Sequence, residues 1–261
     1  MARAKLLLFD LDGTLYLDGA PYPGAVDLIR QIAASADLQY CFVTNNDSIA
    51  PPDYCEKLRR IGFPVEPHNM LVSCQAAVQM LRALGVGPQI YILGTDKLRQ
   101  WMEGQGFQHT CERAKAVLVG FPRTMTYQDF TEATALVEKG VPLYATHYDM
   151  VCPPGLPEAG MLCTALCAAR PGTIVRGIAG KPHRWFVDVI RRRFNVEPEE
   201  MVMIGDMIAT DISFAWNNGL RSMLVLNGRP VPEMPNGKRP DAIVPHIAQM
   251  RDEFWPRNLG W

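Results

Sequence analysis

The sequence predicts an α/β protein with parallel strands and helices packed on both faces of each sheet. Two observations lead there. Short apolar runs alternate with helix-like stretches along the whole chain, and strands that alternate with helices imply a parallel sheet. The apolar runs also end, again and again, on polar residues or glycine, and the carboxyl ends of parallel strands are where such sheets gather function. The 261 residues hold more β–α units than one compact sheet accommodates, so two α/β domains are expected.

The elements follow in order. LLLF (6–9) is an unbroken apolar run, the signature of a strand buried on both faces. LQYCFV (38–43) is a strand ending in TNND, and DYCEKLRRIGF is a helix closed by Gly62. CQAAVQMLRALG after Ser73 is a helix, QIYIL (89–93) a strand, and TDKLRQWMEGQG a helix. AVLVG (116–120), TYQDFTEATALVEKG and PLYAT (142–146) continue the alternation as strand, helix and strand. CPPGLPEAG (152–160) interrupts it as a Pro- and Gly-rich loop. TIVRGI (173–178) reads as a strand, and KPHRWFVDVIRRRF as a helix with Pro182 in its first turn. MVMIG (201–205), a helix from about Asp211 to Asn218, RSMLVL (221–226) and DAIV (241–244) complete the pattern.

Composition narrows the function classes. Apolar residues make up 48% and charged residues 20%, ordinary for a globular protein. A net charge of −1 offers no bulk attraction for nucleic acid or an anionic membrane, and neither partner is expected. No apolar stretch approaches bilayer-spanning length, and the apolar segment after Lys5 stops at Asp10, too short for a signal peptide. Cys41, Cys55, Cys74, Cys111, Cys152, Cys163 and Cys167 are odd in number and scattered in apolar contexts, as expected of reduced thiols in a cytoplasm.

Four strand ends carry candidate chemistry. FDLDGT places Asp10 and Asp12 two residues apart, on one face if the strand continues that far. Two anions about 4 Å apart repel by roughly 4 kcal/mol at an effective dielectric near 20, so the pair calls for a cation. VTNN offers the Thr44 hydroxyl and the backbone N–H groups of Asn45 and Asn46, a set suited to an anion. GKP places Lys181 at the predicted start of a helix, where the dipole disfavours a cation unless a bound anion is shared with it. IGDMIATD adds Asp206 after a strand-end glycine and Asp211 five residues on. Alone, Asp206 reads as a turn residue and Asp211 as an N-cap; their order along one chain is the stronger signal.

That order, DxDGT, then a strand-end Thr, then Lys, then GDxxxxD, resembles the four-motif set of the haloacid dehalogenase (HAD) superfamily. PGA after the first motif, VTNN, VGF followed by TY, and AGKP resemble its class IIA, NagD-type phosphatase branch. The resemblance implies a Rossmann-like core at about 1–74 and 179–261, with an α/β type-2 cap inserted at about 75–178. It implies a phosphatase acting on a small phosphate monoester, such as a nucleotide or sugar phosphate. Asp10 would be the nucleophile and form an aspartyl-phosphate, and Asp12 the acid and base. Thr44, the N–H of Asn45, and Lys181 would hold the phosphoryl oxygens. Mg²⁺ would be held by Asp10, Asp206 and the backbone carbonyl of Asp12, with Asp211 orienting Lys181 or the metal shell. Caps of this type often dimerise in the family, so a homodimer is among the expectations.

An acid at position 12 favours phosphoryl over carbon–halogen chemistry. A phosphomutase or phosphotransferase, and a catalytically idle phospholigand-binding protein on the same fold, stay open as alternatives. The cap departs from the branch pattern at Thr146–His147–Tyr148–Asp149, at Pro122–Arg123 and at Pro157–Glu158. His147, Tyr148 and Glu158 are therefore the expected readers of the leaving group, with Asn45 and Asn46 beside the phosphate.

Overall fold

The computed structural model describes residues 3–152 and 155–250. The chain folds into two compact units. One comprises the chain up to Thr44, Pro51–Leu71 and the chain from Lys181; the other comprises Asn45–Ala50 and Val72–Gly180.

The first unit is built on a six-stranded sheet in the order Ala242–Val244, Arg221–Val225, Met201–Gly205, Leu6–Phe9, Gln39–Thr44 and Met70–Val72. Pairing is parallel from Ala242–Val244 through to Gln39–Thr44. Leu6–Phe9 lies in the interior, with Leu8 level with Met203 on one side and Cys41 on the other. All four of its residues are fully buried, as a two-faced strand requires. The second unit has a five-stranded parallel sheet, ordered Val175–Ile178, Leu143–Ala145, Val117–Val119, Gln89–Leu93 and Gln108–His109. Helices Tyr127–Glu138 and Ala159–Ala169 pack Val137 and Leu166 onto it, among Tyr91, Val119 and Ala145.

Local chemistry accounts for three of the boundaries. The helix Asp96–Gly104 starts where Thr95 accepts from the Leu98 N–H at 3.1 Å, an N-cap. Tyr127–Glu138 starts at a capping box of Thr126 and Asp129. Gly62, at φ 99°, ends the turn after Pro51–Arg60.

Four expectations are corrected. The helix read from Lys181 begins at Trp185, so Pro182 precedes its first turn; residues 181–184 form turns, and the Lys181 side chain faces Asp10 and Asp211. Asp211 is not an N-cap: it lies inside a π-helical turn, Ile208–Ile212, that runs into the helix Ser213–Asn218. CPPGLPEAG is not a plain loop, since Val151–Cys152 pairs antiparallel with Leu156–Pro157; Pro153 and Pro154 lie outside the described residues. The stretch 22–34 has no element in the sequence pattern above, yet Ala25–Ala33 is a helix after Gly24, with Leu28, Ile29 and Ile32 on its buried face.

The loop Asn45–Ala50, expected with the core, belongs to the second unit. Its hydrogen bonds explain this. Asn45 donates to Asp149 at 2.8 Å, Asp47 accepts from the Phe121 N–H at 2.8 Å, and Thr95 donates to the Ser48 carbonyl at 3.2 Å.

Candidate active site

In the first unit, Asp10, Asp206, Asp211 and Lys181 meet at the carboxyl ends of adjacent strands. Leu6–Phe9 ends one residue before Asp10, whose N–H still donates to Ile204 O at 2.9 Å. The chain then turns. The Leu15 N–H reaches back to Leu11 O, and Gly13 adopts φ 87°. A Cβ on Gly13 would lie 2.5 Å from Oδ2 of Asp206, so glycine is required twice over, by conformation and by space.

Because of that turn, Asp10 and Asp12 have separate surroundings. Asp10 is nearly buried, accepting from Lys181 Nζ at 2.7 Å on Oδ1 and from the Thr14 hydroxyl at 3.0 Å on Oδ2. Asp12 is exposed, and the Tyr16 hydroxyl approaches its Oδ2 at 3.4 Å. Lys57 in turn donates to the Tyr16 hydroxyl at 3.0 Å. Enough protein surrounds the Asp12 carboxyl that desolvation pushes its pKa up, helped by the Asp10 charge and opposed by Lys57; its exposure moderates that push.

Lys181 is buried and its ammonium faces Asp10 at 2.7 Å, Asp211 at 2.6 Å and the Val43 carbonyl at 3.1 Å. Burial alone would lower its pKa, but the two carboxylates outweigh that and raise it. This ion cluster, rather than a helix dipole, holds the cation. Asp211 also accepts from the Met207 N–H at 3.1 Å, and desolvation pushes its pKa up against the pull of Lys181. Asp206 Oδ1 lies 3.0 Å from the same Thr14 hydroxyl, whose single proton serves either carboxylate, and Oδ2 pairs with Arg229 at 2.7 Å. Burial, then the Asp10 charge, moves its pKa up to about 6.

One oxygen each from Asp10, Asp206 and Asp211 lies within 4.8 Å of the others. At that spacing each pair of anions repels by about 3–4 kcal/mol at dielectric 20. Lys181 and Arg229 offset part of this. The donors are hard oxygens, converging and charged, and they fit a small divalent cation such as Mg²⁺. Asp12 adds no side-chain oxygen to this group; its expected ligand atom is the backbone carbonyl.

Thr44 is buried at the end of its strand. Asn45 has its side chain committed to Asp149, and its carbonyl accepts from Ser73 at 2.7 Å. Asn46 accepts the Ser48 N–H within its own turn. In the second unit, His147 and Glu158 are both buried and face each other, Nε2 to Oε2 at 2.6 Å. His147 Nδ1 lies 3.0 Å from the Thr146 hydroxyl and 3.9 Å from Asp47. The Glu158 carboxylate is thus committed to an internal partner rather than standing free in an exposed loop. Tyr148 is half-buried, its hydroxyl 3.4 Å from that of Thr164.

Sequence reasoning assigns no role to Thr14, Asp47 or Arg229. Thr14 is visible inside DGT, and it bridges Asp10 and Asp206. Arg229 lies just after RSMLVL, so the strand-end rule applied to a fifth strand would have reached it. Asp47 sits in TNND, beside the two asparagines placed near the phosphate.

Comparison with known proteins agrees with this architecture. Residues 7–108 match a family described as haloacid dehalogenase-like hydrolase, and residues 178–250 one described as HAD-hydrolase-like. The chain is 33% identical over 258 residues to glycerol-3-phosphate phosphatase of Gallus gallus, covering 87% of this chain and 81% of that one. Among solved structures it is similar to 4-nitrophenylphosphatase from Thermotoga maritima, with a TM-score of 0.88, 32% identity, and coverage of 95% and 97%. NagD from E. coli K-12 gives a TM-score of 0.84 at 26% identity, covering 95% of this chain and 98% of that one.

Proposed function

The chain belongs to the haloacid dehalogenase-like hydrolases, in their NagD-type branch, and from that premise we propose that this phosphoric monoester hydrolase is Mg²⁺-dependent and works through an aspartyl-phosphate on Asp10. The observation that carries the reading is Asp10 itself, a carboxylate at a strand end with its oxygens aligned by Lys181 at 2.7 Å and Thr14 at 3.0 Å.

Asp10 attacks the phosphorus of the ester, and the bond to the leaving oxygen breaks. Asp12 gives that oxygen a proton; the upward push on its pKa supports this role. Asp12, now ionised, takes a proton from water as the water attacks the phosphorus of the aspartyl-phosphate. Inorganic phosphate leaves and the Asp10 carboxylate is restored. Lys181, Thr44 and the Asn45 N–H hold the phosphoryl oxygens. Asp211 fixes Lys181 through its 2.6 Å contact. Asp10, Asp206 and the Asp12 carbonyl would hold the metal, which would supply charge neutralisation between a carboxylate and a phosphate dianion.

The second unit takes the role of the cap, which selects the leaving group. With His147 and Glu158 paired to each other, Tyr148 is the member of that trio left to meet substrate. The relatives named for glycerol 3-phosphate and 4-nitrophenyl phosphate support small alkyl and aryl phosphates as substrates. A panel of phosphate monoesters, assayed for phosphate release with Mg²⁺ and with a chelator, tests the reading. Turnover that chelation abolishes and Mg²⁺ restores is expected; ligand binding without turnover of any ester would overturn it in favour of an idle binding protein.

A further inference from the structure

We infer that Arg229 is the counter-ion that competes with a divalent cation for Asp206, and that it thereby sets the affinity of the metal site. The inference rests on the metal-dependent reading above and concerns a residue outside the four motifs.

Both oxygens of Asp206 are engaged. The Thr14 hydroxyl lies 3.0 Å from Oδ1 and Arg229 pairs with Oδ2 at 2.7 Å. A cation bound through this carboxylate stands beside both groups, and the charged one opposes it unless it moves away. Thr14 cannot leave: it is fully buried, and its hydroxyl also serves Asp10 at 3.0 Å. Arg229 can. Its side chain is 47% exposed, and a guanidinium released there regains water.

The loop beneath Arg229 is fixed while its head, paired with Asp206, reaches solvent. Asn227, at φ 48°, donates through Nδ2 to the carbonyls of Gly13 and Thr14, each at 2.9 Å. Its Oδ1 accepts the Ile247 N–H at 3.1 Å. Asn227 therefore clamps this loop to the first-motif turn, and Gly228, at φ 82°, directs the chain on to Arg229. Within the loop the Arg229 Nε–H donates to Leu226 O at 3.0 Å; the guanidinium is a rigid plane, so freeing Asp206 takes rotation along the stem and gives up that hydrogen bond to water as well.

Charge gives the direction. A guanidinium is always protonated, and 2.7 Å from an Asp206 oxygen it stands within a few ångströms of any cation on that carboxylate. Like charges oppose each other there, so Arg229 competes with the metal instead of assisting it. Lys181 differs, being buried between Asp10, Asp211 and the Val43 carbonyl, with no exposed route away from the cluster. Arg229 offsets the acidic cluster until a divalent ion replaces it.

The test is calorimetric titration of MgCl₂ into chelator-stripped, desalted protein without substrate, for wild type, Arg229→Gln and Arg229→Lys. Arg229→Gln is expected to bind Mg²⁺ at least about tenfold more tightly, because the competing equilibrium is gone. Arg229→Lys, which keeps the charge, is expected to stay near wild type. In chelator, Arg229→Gln should melt below wild type, and Mg²⁺ should raise its midpoint by more than it raises that of wild type. Unchanged or weaker Mg²⁺ binding by Arg229→Gln, with wild type binding normally, would overturn the inference and make Arg229 a supporter of the ligand sphere. Failure of wild type itself to bind Mg²⁺ would overturn the metal-dependent reading, and this inference with it.

Discussion

His147 has 1% of its surface exposed, a setting that should strip an imidazole of its proton. Burial pushes the pKa down, but the Glu158 hydrogen bond and the charges of Asp47, Glu158 and Asp149 push harder, up to about 9. Phe121 stacks near the ring, and Thr146 meets Nδ1. Unfolded histidine titrates near 6.5. Below that pH both states hold the proton, and the pair contributes its full stability. As pH rises from 6.5 through about 9, the native state keeps a proton that the unfolded chain has released. Stability falls with pH across that window, by roughly 3 kcal/mol in all. Wild type should therefore lose thermal stability between pH 6 and pH 9.5, as followed by its midpoint. His147→Gln, with Glu158 left buried and unpaired, should start lower at pH 6, by about 3–5 kcal/mol of stability, and show a flatter profile. Parallel profiles for the two proteins would contradict the account.

At the scale of elements, the site depends on how strands end. Met201–Gly205 closes on a glycine with no left-handed requirement, since its φ is not positive. The requirement is space: a Cβ on Gly205 would stand 2.3 Å from Cβ and Cγ of Asp211. Gly205→Ala must move Asp211, and Lys181 loses its 2.6 Å partner. An overpacking cost of about 1–3 kcal/mol is typical of such changes. If that displacement reaches the transition state, kcat should fall roughly tenfold or more. Gly219→Ala, at φ 74° and with no site carboxylate within 4 Å of the added Cβ, should lower stability without that loss of kcat. Equal kcat in both variants would contradict this view of the strand end. Strands were legible because apolar runs bounded by polar residues have few other uses; Met201–Gly205 and Gln89–Leu93 have the expected bounds. The start of Trp185–Phe194 and the π-helical turn around Asp211 were not legible. Around both, Lys181 and Asp211 meet at 2.6 Å, a contact between segments 30 residues apart that no local propensity encodes.

At the scale of the whole chain, contacts between distant segments decide what the motifs can do. Lys181 and Asp10 are 171 residues apart, and Thr14 and Asp206 192. Those pairings were readable only because the four motifs occur in a known order; spacing alone carries no distance over such separations. Arg229 and Asn227 belong to no motif, and the Glu158–His147 pair joins a loop residue to a strand end. Their partners became visible only with the fold. Asp10 was legible at once, as the first polar residue after a buried strand, and the account turns on it. The most direct test is steady-state release of phosphate from 4-nitrophenyl phosphate by Asp10→Asn, with Mg²⁺ present. The carboxamide keeps the shape and an acceptor for Lys181, so the variant should stay folded by its thermal midpoint. Without a nucleophile its kcat should fall by at least about a thousandfold, some 4 kcal/mol of barrier. A folded Asp10→Asn that keeps most of the wild-type kcat would contradict the aspartyl-phosphate mechanism outright.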